Sequence, residues 1–156
     1  MGMILSKQNL RIAKVRDVKT PTRGTEGSAG IDFYVPNDYP QNLCVIEPGA
    51  RYFIPSGIKA NVPDGYALVA FNKSGVALRK QLLVGAAVVD SDYQGEIHLH
   101  LVNTSNKTVE ISAGEKLLQF LLLPVDHGPV QLVDEEDLFS STSNRGTGGF
   151  GSTGVQ

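Results

Sequence analysis

The sequence has 156 residues, of which 41% are hydrophobic and 19% are charged, and its formal net charge at pH 7 is −2. This length suits a single domain with a sizeable core, and the composition excludes an intrinsically disordered chain. The negative net charge argues against a nucleic-acid coat protein, because such proteins need a clustered cationic surface. Cys44 is the only cysteine, so an intrachain disulfide framework is excluded and nothing points to an oxidising compartment.

The apolar runs give no sign of export or membrane attachment. The longest, around residues 117–125, is too short to span a bilayer, and the N-terminus lacks a secretory signal pattern. We therefore expect a cytoplasmic protein, or a nuclear or host-cell protein if the source is eukaryotic or viral, with neither a membrane nor a nucleic acid as partner.

Short β-strands dominate the predicted elements. Each is rich in Val, Ile, Leu, Phe or Tyr and is bounded by turn residues, while helical spacing of apolar residues is rarely sustained. In chain order the predicted strands are residues 10–15, 30–35, 51–58, 67–71, 96–102, 108–111 and 117–124. One short helix is predicted at residues 74–82, where good helix formers cluster. This pattern is typical of an all-β sandwich or barrel.

The C-terminal segment is almost entirely Ser, Thr, Gly and Asn from residue 140 to 154. Its glycines allow backbone N–H groups to converge on an anion, and Arg145, Ser152 and Thr153 add donors suited to phosphate. Phe150 is a lone aromatic that is well placed to stack on a base. Such a segment cannot bury enough apolar surface to order itself. It is therefore predicted to be a mobile phosphate clamp, with a plain Gly/Ser linker as the alternative.

Two further segments carry candidate chemistry. In residues 88–96 two carboxylates, Asp90 and Asp92, follow a hydrophobic run, and either is placed to orient a water for attack; ordinary turn formation is the alternative. In residues 72–75 Lys73 and the backbone amides after it would hold an anion, and a plain N-cap explains Ser74 equally well.

His98 and His100 alternate with apolar residues, so both lie on one face of a predicted strand. A metal site is disfavoured because no third ligand is evident, and a polar strand face or a subunit contact is the preferred interpretation.

Five short segments, in order, resemble the five motifs of the trimeric dUTPase family. They are residues 29–33, 73–77, 85–95, 114–119 and 145–154. Only the fifth is long enough to be specific alone. The resemblance implies a distorted jelly-roll β-barrel or sandwich over residues 1–139, with one short helix. It also implies a flexible glycine-rich arm, residues 140–156, that closes an active site of a neighbouring subunit in a homotrimer.

The implied activity is that of a dUTP diphosphatase, which hydrolyses dUTP to dUMP and pyrophosphate by attack of water on the α-phosphorus. The product supplies thymidylate synthesis, and removal of dUTP limits uracil incorporation into DNA. The implied cofactor is Mg²⁺, held by the phosphates and water without a direct protein ligand, and with Asp32 in its second coordination shell.

The resemblance also implies a role for each site residue. Asp90 positions the water, Tyr93 packs against the deoxyribose, and the main chain from Gly85 to Val89 reads uracil. The remaining substrate-binding residues fall into three groups: Ala86 beside the base; Lys73, Ser74, Gly75 and Gln119 along the phosphates; and Arg145, Phe150, Gly151, Ser152 and Thr153 from the arm.

Three of the five motifs depart from the usual pattern. Lys73 stands where arginine is usual, Glu115 and Lys116 replace Asp and Arg, and Ala87 replaces a frequent glycine. Lysine lacks the planar fork of arginine, so the phosphate contacts or the docking of the arm are in question. The alternatives are a dUTP-binding regulatory module that uses the same site as a switch, and a dCTP deaminase-like enzyme. A purely structural jelly roll leaves the arm unexplained.

Overall fold

The computed structural model describes residues 7–39 and 44–149. Within them it contains eleven short strands, one α-helix and one 3₁₀ turn. The strands are β1 (Arg11–Lys14), β2 (Ile31–Phe33), β3 (Cys44–Ile46), β4 (Arg51–Pro55), β5 (Ile58–Asn61), β6 (Tyr66–Asn72), β7 (Leu82–Val84), β8 (Val88–Val89), β9 (His98–Asn103), β10 (Val109–Ile111) and β11 (Leu118–Pro124). Helix α1 is Ser74–Arg79, and the 3₁₀ turn is Glu135–Asp137. The predicted all-β class with one short helix is confirmed.

The strands form antiparallel sheets. A four-stranded sheet has the order β2-β11-β6-β8, and a three-stranded sheet has the order β4-β9-β7. Two-stranded ribbons, β1-β5 and β10-β3, complete the arrangement. In the described part of the chain the strands close no barrel.

A single buried cluster joins the sheets. Alternate residues of β9 are buried, Leu99 and Leu101 completely, as expected for a strand with one face in the core. Phe33 of β2 and Phe120 of β11 lie at the centre, with ring centroids 4.5 Å apart and planes tilted by 51°. Burial of such side chains is the main favourable contribution to folding.

The boundaries of the strands and of the helix differ from the prediction, in two cases because the backbone turns. Of the predicted strand 51–58, only residues 51–55 form β4, and Ile58 instead begins β5, which extends to Asn61. The chain turns between them because Gly57 has φ +73°, a conformation that ends a strand. The helix ends at Arg79, since Gln81 has φ 52°. Leu82, predicted to be helical, instead begins β7 and is buried. Strands β3, β7 and β8, each of two or three residues, were not predicted.

The contacts divide the chain into two compact units, one up to Asp126 and one from His127 onward. All eleven strands and α1 belong to the first unit. The second contains the 3₁₀ turn and a series of turns around Ser143 to Gly148. The predicted division at residues 139 and 140 stays a prediction. In the part of the chain that is described, no helix is both long and apolar enough to cross a bilayer.

Candidate active site

A cavity of about 240 Å³ lies where the chain passes from β8 to β9. Its lining includes Val88, Asp90, Tyr93, Ile97 and His100. The two strands beside it belong to different sheets, since β8 pairs with β6, whereas β9 pairs with β4 and β7. The connection between β8 and β9 is therefore not closed by hydrogen bonds between these two strands, and the cavity lies beside it.

The outer edge of β8 presents a main-chain donor and acceptor. Leu68 is paired with Val89 and Val69 with Val88, and the Ala70 N–H donates to the Ala87 carbonyl at 2.8 Å. In an antiparallel ladder this makes Val69 and Val88 a non-hydrogen-bonded pair, so the N–H and C=O of Val88 point away from β6. Because β8 is the last strand of its sheet among the described residues, these two groups form an open edge.

The peptide groups just before β8 are already engaged by His100. Gly85 N–H donates to the His100 carbonyl at 3.0 Å, and Ala86 N–H donates to His100 Nδ1 at 2.6 Å. The segment predicted to read the base therefore has part of its hydrogen-bonding capacity occupied within its own subunit. Its outward-facing groups, such as those of Val88, are the ones left for a ligand.

The acidic turn after β8 has a fixed shape. The Tyr93 N–H donates to the Asp90 carbonyl at 3.2 Å, and the Tyr93 hydroxyl donates to the Glu96 carbonyl at 2.9 Å. The tyrosine ring lies over Gly95, where an added Cβ would be 2.4 Å from the hydroxyl oxygen. Asp90 is exposed and lines the cavity, whereas Asp92 is exposed but is not among the lining residues. The turn thus directs one carboxylate and one aromatic ring to the same cavity.

Glu96 anchors the end of this turn to the break between β4 and β5. Its carboxylate accepts hydrogen bonds from Arg16 Nε and from the Gly57 N–H, both at 2.8 Å. Partial burial raises the pKa of Glu96, but the bonds from Arg16 and Gly57 outweigh it, so the pKa lies below its ordinary value. The charged form of Glu96 is therefore favoured by the fold.

Replacement of Glu96 by Gln should lower the free energy of unfolding by about 1 kcal/mol near neutral pH, because charged hydrogen bonds are stronger than neutral ones. The folded-state pKa is depressed, so this contribution is present above the unfolded pKa of ~4.3 and is lost as the pH falls through the folded value. Urea unfolding at several pH values tests this. The free energies of unfolding of wild type and Glu96→Gln should become equal at acidic pH. The control variant Glu110→Gln, at an exposed position on β10, should have nearly the wild-type free energy of unfolding at every pH. A difference in free energy of unfolding between wild type and Glu96→Gln that stays constant down to low pH would contradict the role given to the Glu96 carboxylate.

A buried carboxylate lies between two lysines at the start of α1. Asp32 on β2 accepts a hydrogen bond from Lys73 Nζ, and Lys116 Nζ is 3.3 Å from its other carboxylate oxygen. Asp32 is buried, while Lys73 is partly exposed and Lys116 is largely exposed. The two lysines that replace the usual arginines therefore share one carboxylate. The three groups carry a net charge of +1, which suits an anionic ligand.

The residues after Lys73 form the first turn of α1. Lys73 is the N-cap residue and Ser74 is the first residue of the helix, so the alternative interpretation of Ser74 as the N-cap is wrong. Ser74 and Gly75 are exposed, and N–H groups in a first helical turn have no acceptor within the helix. Gln119 lies nearby, since its Nε2 donates to the Asn72 carbonyl at 2.9 Å.

Gly30 is what allows Gln119 to adopt this position. A Cβ at Gly30 would be 1.9 Å from Gln119 Oε1, which is far closer than any contact allows. Asp32 is paired with Gln119 across β2 and β11, so the first and fourth motifs meet here. The structure thus brings five of the predicted residues into one neighbourhood: Asp32, Lys73, Ser74, Gly75 and Gln119.

The arm residues are only partly described. Arg145 belongs to the second unit, is exposed, and donates from Nε to the Gly148 carbonyl at 2.8 Å. Gly146 has φ +51° within a turn in which its N–H donates to the Ser143 carbonyl. Phe150, Gly151, Ser152 and Thr153 lie outside the described residues, so the predictions made for them stay predictions.

The described residues contain no group of three His, Cys, Asp or Glu side chains placed to hold a metal ion. Both oxygens of Asp32 are engaged by lysine amines, so this carboxylate would meet a metal through water or after the lysines move. Mg²⁺ retains waters and is commonly carried by the phosphates of a substrate.

Sequence reasoning did not assign His100, Lys116 or Glu96 to the site. The pairing of Lys116 with Asp32 and the contacts of Glu96 join residues that are 84 and 80 positions apart, so no local pattern reveals them. For His100 the alternation along β9 gave the correct strand face, but the contact with Ala86 depends on the turn between β7 and β8.

Comparisons with known proteins agree with this arrangement. The dUTPase family model matches residues 16–154. Deoxyuridine 5'-triphosphate nucleotidohydrolase of Caulobacter vibrioides is 38% identical over 143 residues, which cover 89% of this chain and 88% of that protein. These comparisons do not favour the regulatory or deaminase-like alternative.

Two solved structures have the same fold. The dUTPase of Staphylococcus bacteriophage 80alpha, solved with dUpNHpp, has a TM-score of 0.81 at 22% identity, covering 96% of this chain and all of that one (100%). A variant of the phage phi11 dUTPase of S. aureus, described with a structural Mg(II) ion, has a TM-score of 0.71 at 19% identity, covering 82% of this chain and 98% of that one. These likenesses confirm the jelly-roll-like fold. With a family match that spans nearly the whole sequence, the chain belongs to the dUTPase family.

Proposed function

We propose that this protein hydrolyses dUTP to dUMP and pyrophosphate. The observation that carries the proposal is the juxtaposition of the Asp90–Tyr93 turn with the open edge of β8 at one cavity, in a chain of the dUTPase family. The cavity offers a base-pairing edge and a carboxylate side by side. In a cell the reaction would limit uracil incorporation into DNA and supply dUMP for thymidylate synthesis.

Residues 85–89, the base-reading segment, would recognise uracil through main-chain groups. Uracil presents two carbonyl acceptors and one N3–H donor, and the exposed N–H and C=O of Val88 are a complementary type of edge. Cytosine has an acceptor at N3 and an amino group at C4, so it would leave polar groups unpaired. Unpaired polar groups discriminate strongly between substrates, whereas a single added methyl group is worth only ~1–3 kcal/mol. Rejection of thymine would therefore rely on a tight fit around C5.

Asp90 would orient a water molecule for in-line attack on the α-phosphorus and accept its proton as the bond forms. Its exposed carboxylate at the cavity supports this role. Tyr93 would pack against the deoxyribose and leave no room for a 2′-hydroxyl. The bond from the Tyr93 hydroxyl to the Glu96 carbonyl would keep the ring in that place.

The phosphates would bind near the start of α1. Ser74 and Gly75 would donate hydrogen bonds, Gln119 would contribute its amide, and the lysines around Asp32 would provide positive charge. Bound Mg²⁺ would neutralise phosphate charge as the α-phosphorus is attacked. Asp32 would face the metal only through water, which matches its engagement by Lys73 and Lys116. Catalysis would then rest on positioning and electrostatic stabilisation.

A homotrimer would complete each site, with Arg145, Phe150, Gly151, Ser152 and Thr153 supplied by the arm of another subunit. The outer face of the β4-β9-β7 sheet supports subunit contacts, because Phe53 and Leu83 lie there with 53% and 38% of their surface exposed. The cytoplasmic location remains a prediction.

Pyrophosphate release from dUTP, dTTP, dCTP and UTP, each with Mg²⁺, tests the proposal. We expect rapid release from dUTP alone and loss of release when a chelator removes the metal. Isothermal titration with a non-hydrolysable dUTP analogue gives the second measurement. Tight binding without turnover of any of the four nucleotides would contradict the proposal and favour a regulatory role for the same site.

A further inference from the structure

Asn72, the last residue of β6, makes a side-chain hydrogen bond from one sheet to the other. Its Oδ1 accepts the Val84 N–H at 2.8 Å, and Val84 is the last residue of β7. Strand β6 belongs to the four-stranded sheet, whereas β7 belongs to the three-stranded sheet. One side chain therefore connects the two sheets that flank the cavity.

The register of β7 makes the Val84 N–H available for this bond. Gly85 donates to the His100 carbonyl at 3.0 Å, and Val84 is paired with the next residue of β9, Leu101. Alternate pairs of an antiparallel ladder are not hydrogen-bonded, so the Val84 N–H points away from β9. Since β7 is the last strand of its sheet in the described part of the chain, this N–H lies on an open edge, where Asn72 reaches it.

The bond gives the chain between β7 and β8 a second attachment to β6. At one end Asn72 holds Val84, and at the other end the Ala70 N–H donates to the Ala87 carbonyl at 2.8 Å. Ala70 and Asn72 are two residues apart on the same strand. Within the segment held between these attachments, Ala86 and Ala87 line the cavity. The position of this cavity wall therefore depends on both bonds.

We propose that Asn72 is a positioning residue for substrate binding, which acts through Val84 to hold the wall formed by Ala86 and Ala87 in place. The inference rests on the proposed dUTP hydrolysis, in which this segment reads the base. Asn72 is not among the residues that line the cavity, so its side chain affects a ligand there through the segment that it holds. Its main-chain carbonyl accepts the bond from Gln119, and that bond does not depend on the side chain.

The link affects position more than stability. Asn72 is exposed and Val84 is only partly buried, so water can replace a lost acceptor and no buried donor is left unpaired. Asp90 follows Val89, which is paired with Leu68, and so keeps its own attachment to the sheet. Loss of the Asn72 side chain should therefore weaken substrate binding and leave kcat and the unfolding temperature little changed.

Asn72→Ala removes the acceptor, and Asn106→Ala is the matched control at an exposed asparagine in the loop after β9. The KM for dUTP should rise about fivefold in Asn72→Ala, with kcat within about twofold of wild type. Both parameters should stay near wild type in Asn106→Ala, and thermal unfolding should be similar in the three proteins. A wild-type KM in Asn72→Ala would overturn the inference, as would a loss confined to kcat.

Residue-resolved hydrogen–deuterium exchange of the Val84 amide tests the link without catalysis. Asn72→Asp keeps a side-chain oxygen at the same place, so it should protect this amide as well as wild type does. Asn72→Ala should lose the protection. Equal exchange in all three proteins would contradict the role of Asn72.

The proposed function and this inference fail in different experiments. A wild-type protein that releases no pyrophosphate from dUTP would overturn the function. Isothermal titration with a non-hydrolysable dUTP analogue then decides on Asn72: binding about fivefold weaker in Asn72→Ala would support the positioning role. Equal binding by wild type and variant would overturn that role, and no binding by either protein would overturn both.

Discussion

The Asp90→Asn variant should lose between about 10² and 10⁴ in kcat for dUTP, with KM little changed. The amide keeps the size of the carboxylate but is not a base, so it cannot accept the proton of the attacking water. The substrate contacts proposed for the β8 edge and the start of α1 remain, which is why binding should survive. Steady-state kinetics of pyrophosphate release with saturating Mg²⁺ give both parameters.

Asp92→Asn is the matched control, because it makes the same chemical change two residues away in the same turn. Asp92 is exposed but does not line the cavity, so this variant should stay within about twofold of wild type. Thermal unfolding should be similar for both variants, since neither carboxylate is buried. A large loss in Asp92→Asn together with full activity in Asp90→Asn would reverse the assignment of the two carboxylates.

The fold was predictable from the sequence wherever a strand is long enough to show alternation. The predicted segment 117–124 corresponds to β11 and 96–102 to β9, each within a few residues. The break at Gly57 was missed because the apolar residues Ile54 and Ile58 on either side of it were read as one strand over residues 51–58. Only the backbone conformation of Gly57 reveals that the chain turns there.

The motifs of the candidate site were predictable from the sequence, but the side-chain contacts between the motifs were not. Lys73 was identified as a departure that leaves the phosphate contacts in question, yet its partner is the buried Asp32, 41 positions earlier. Lys116 was noted as a replacement of the usual arginine, and it contacts the same carboxylate. The two lysines are therefore linked through one acidic group. A bidentate arginine at either position would compete with the other cation for Asp32.

Deletion of residues 145–156 should leave the proposed trimer intact and lower kcat/KM for dUTP by on the order of a hundredfold or more, because the proposed clamp on the phosphates is lost. The eleven strands and α1 all lie before this segment, so folding of the first unit does not require it. Light scattering on a size-exclusion column measures the assembly, and pyrophosphate release measures the activity. A truncated protein with the wild-type rate would contradict the role of the arm.

Mixed trimers test whether the arm acts on a neighbouring subunit. Asp90→Asn subunits keep the arm but lack the base, and truncated subunits keep Asp90 but lack the arm. If each site takes its arm from another subunit, random trimers formed from equal amounts of the two inactive proteins should recover about one quarter of the wild-type activity, since half of the sites have Asp90 and half of those receive an arm. If the arm closes the site of its own subunit, no mixture contains a complete site and activity should stay at the level of the parents. Recovery that depends on co-refolding the two chains would identify the subunit interface as the place where catalysis occurs.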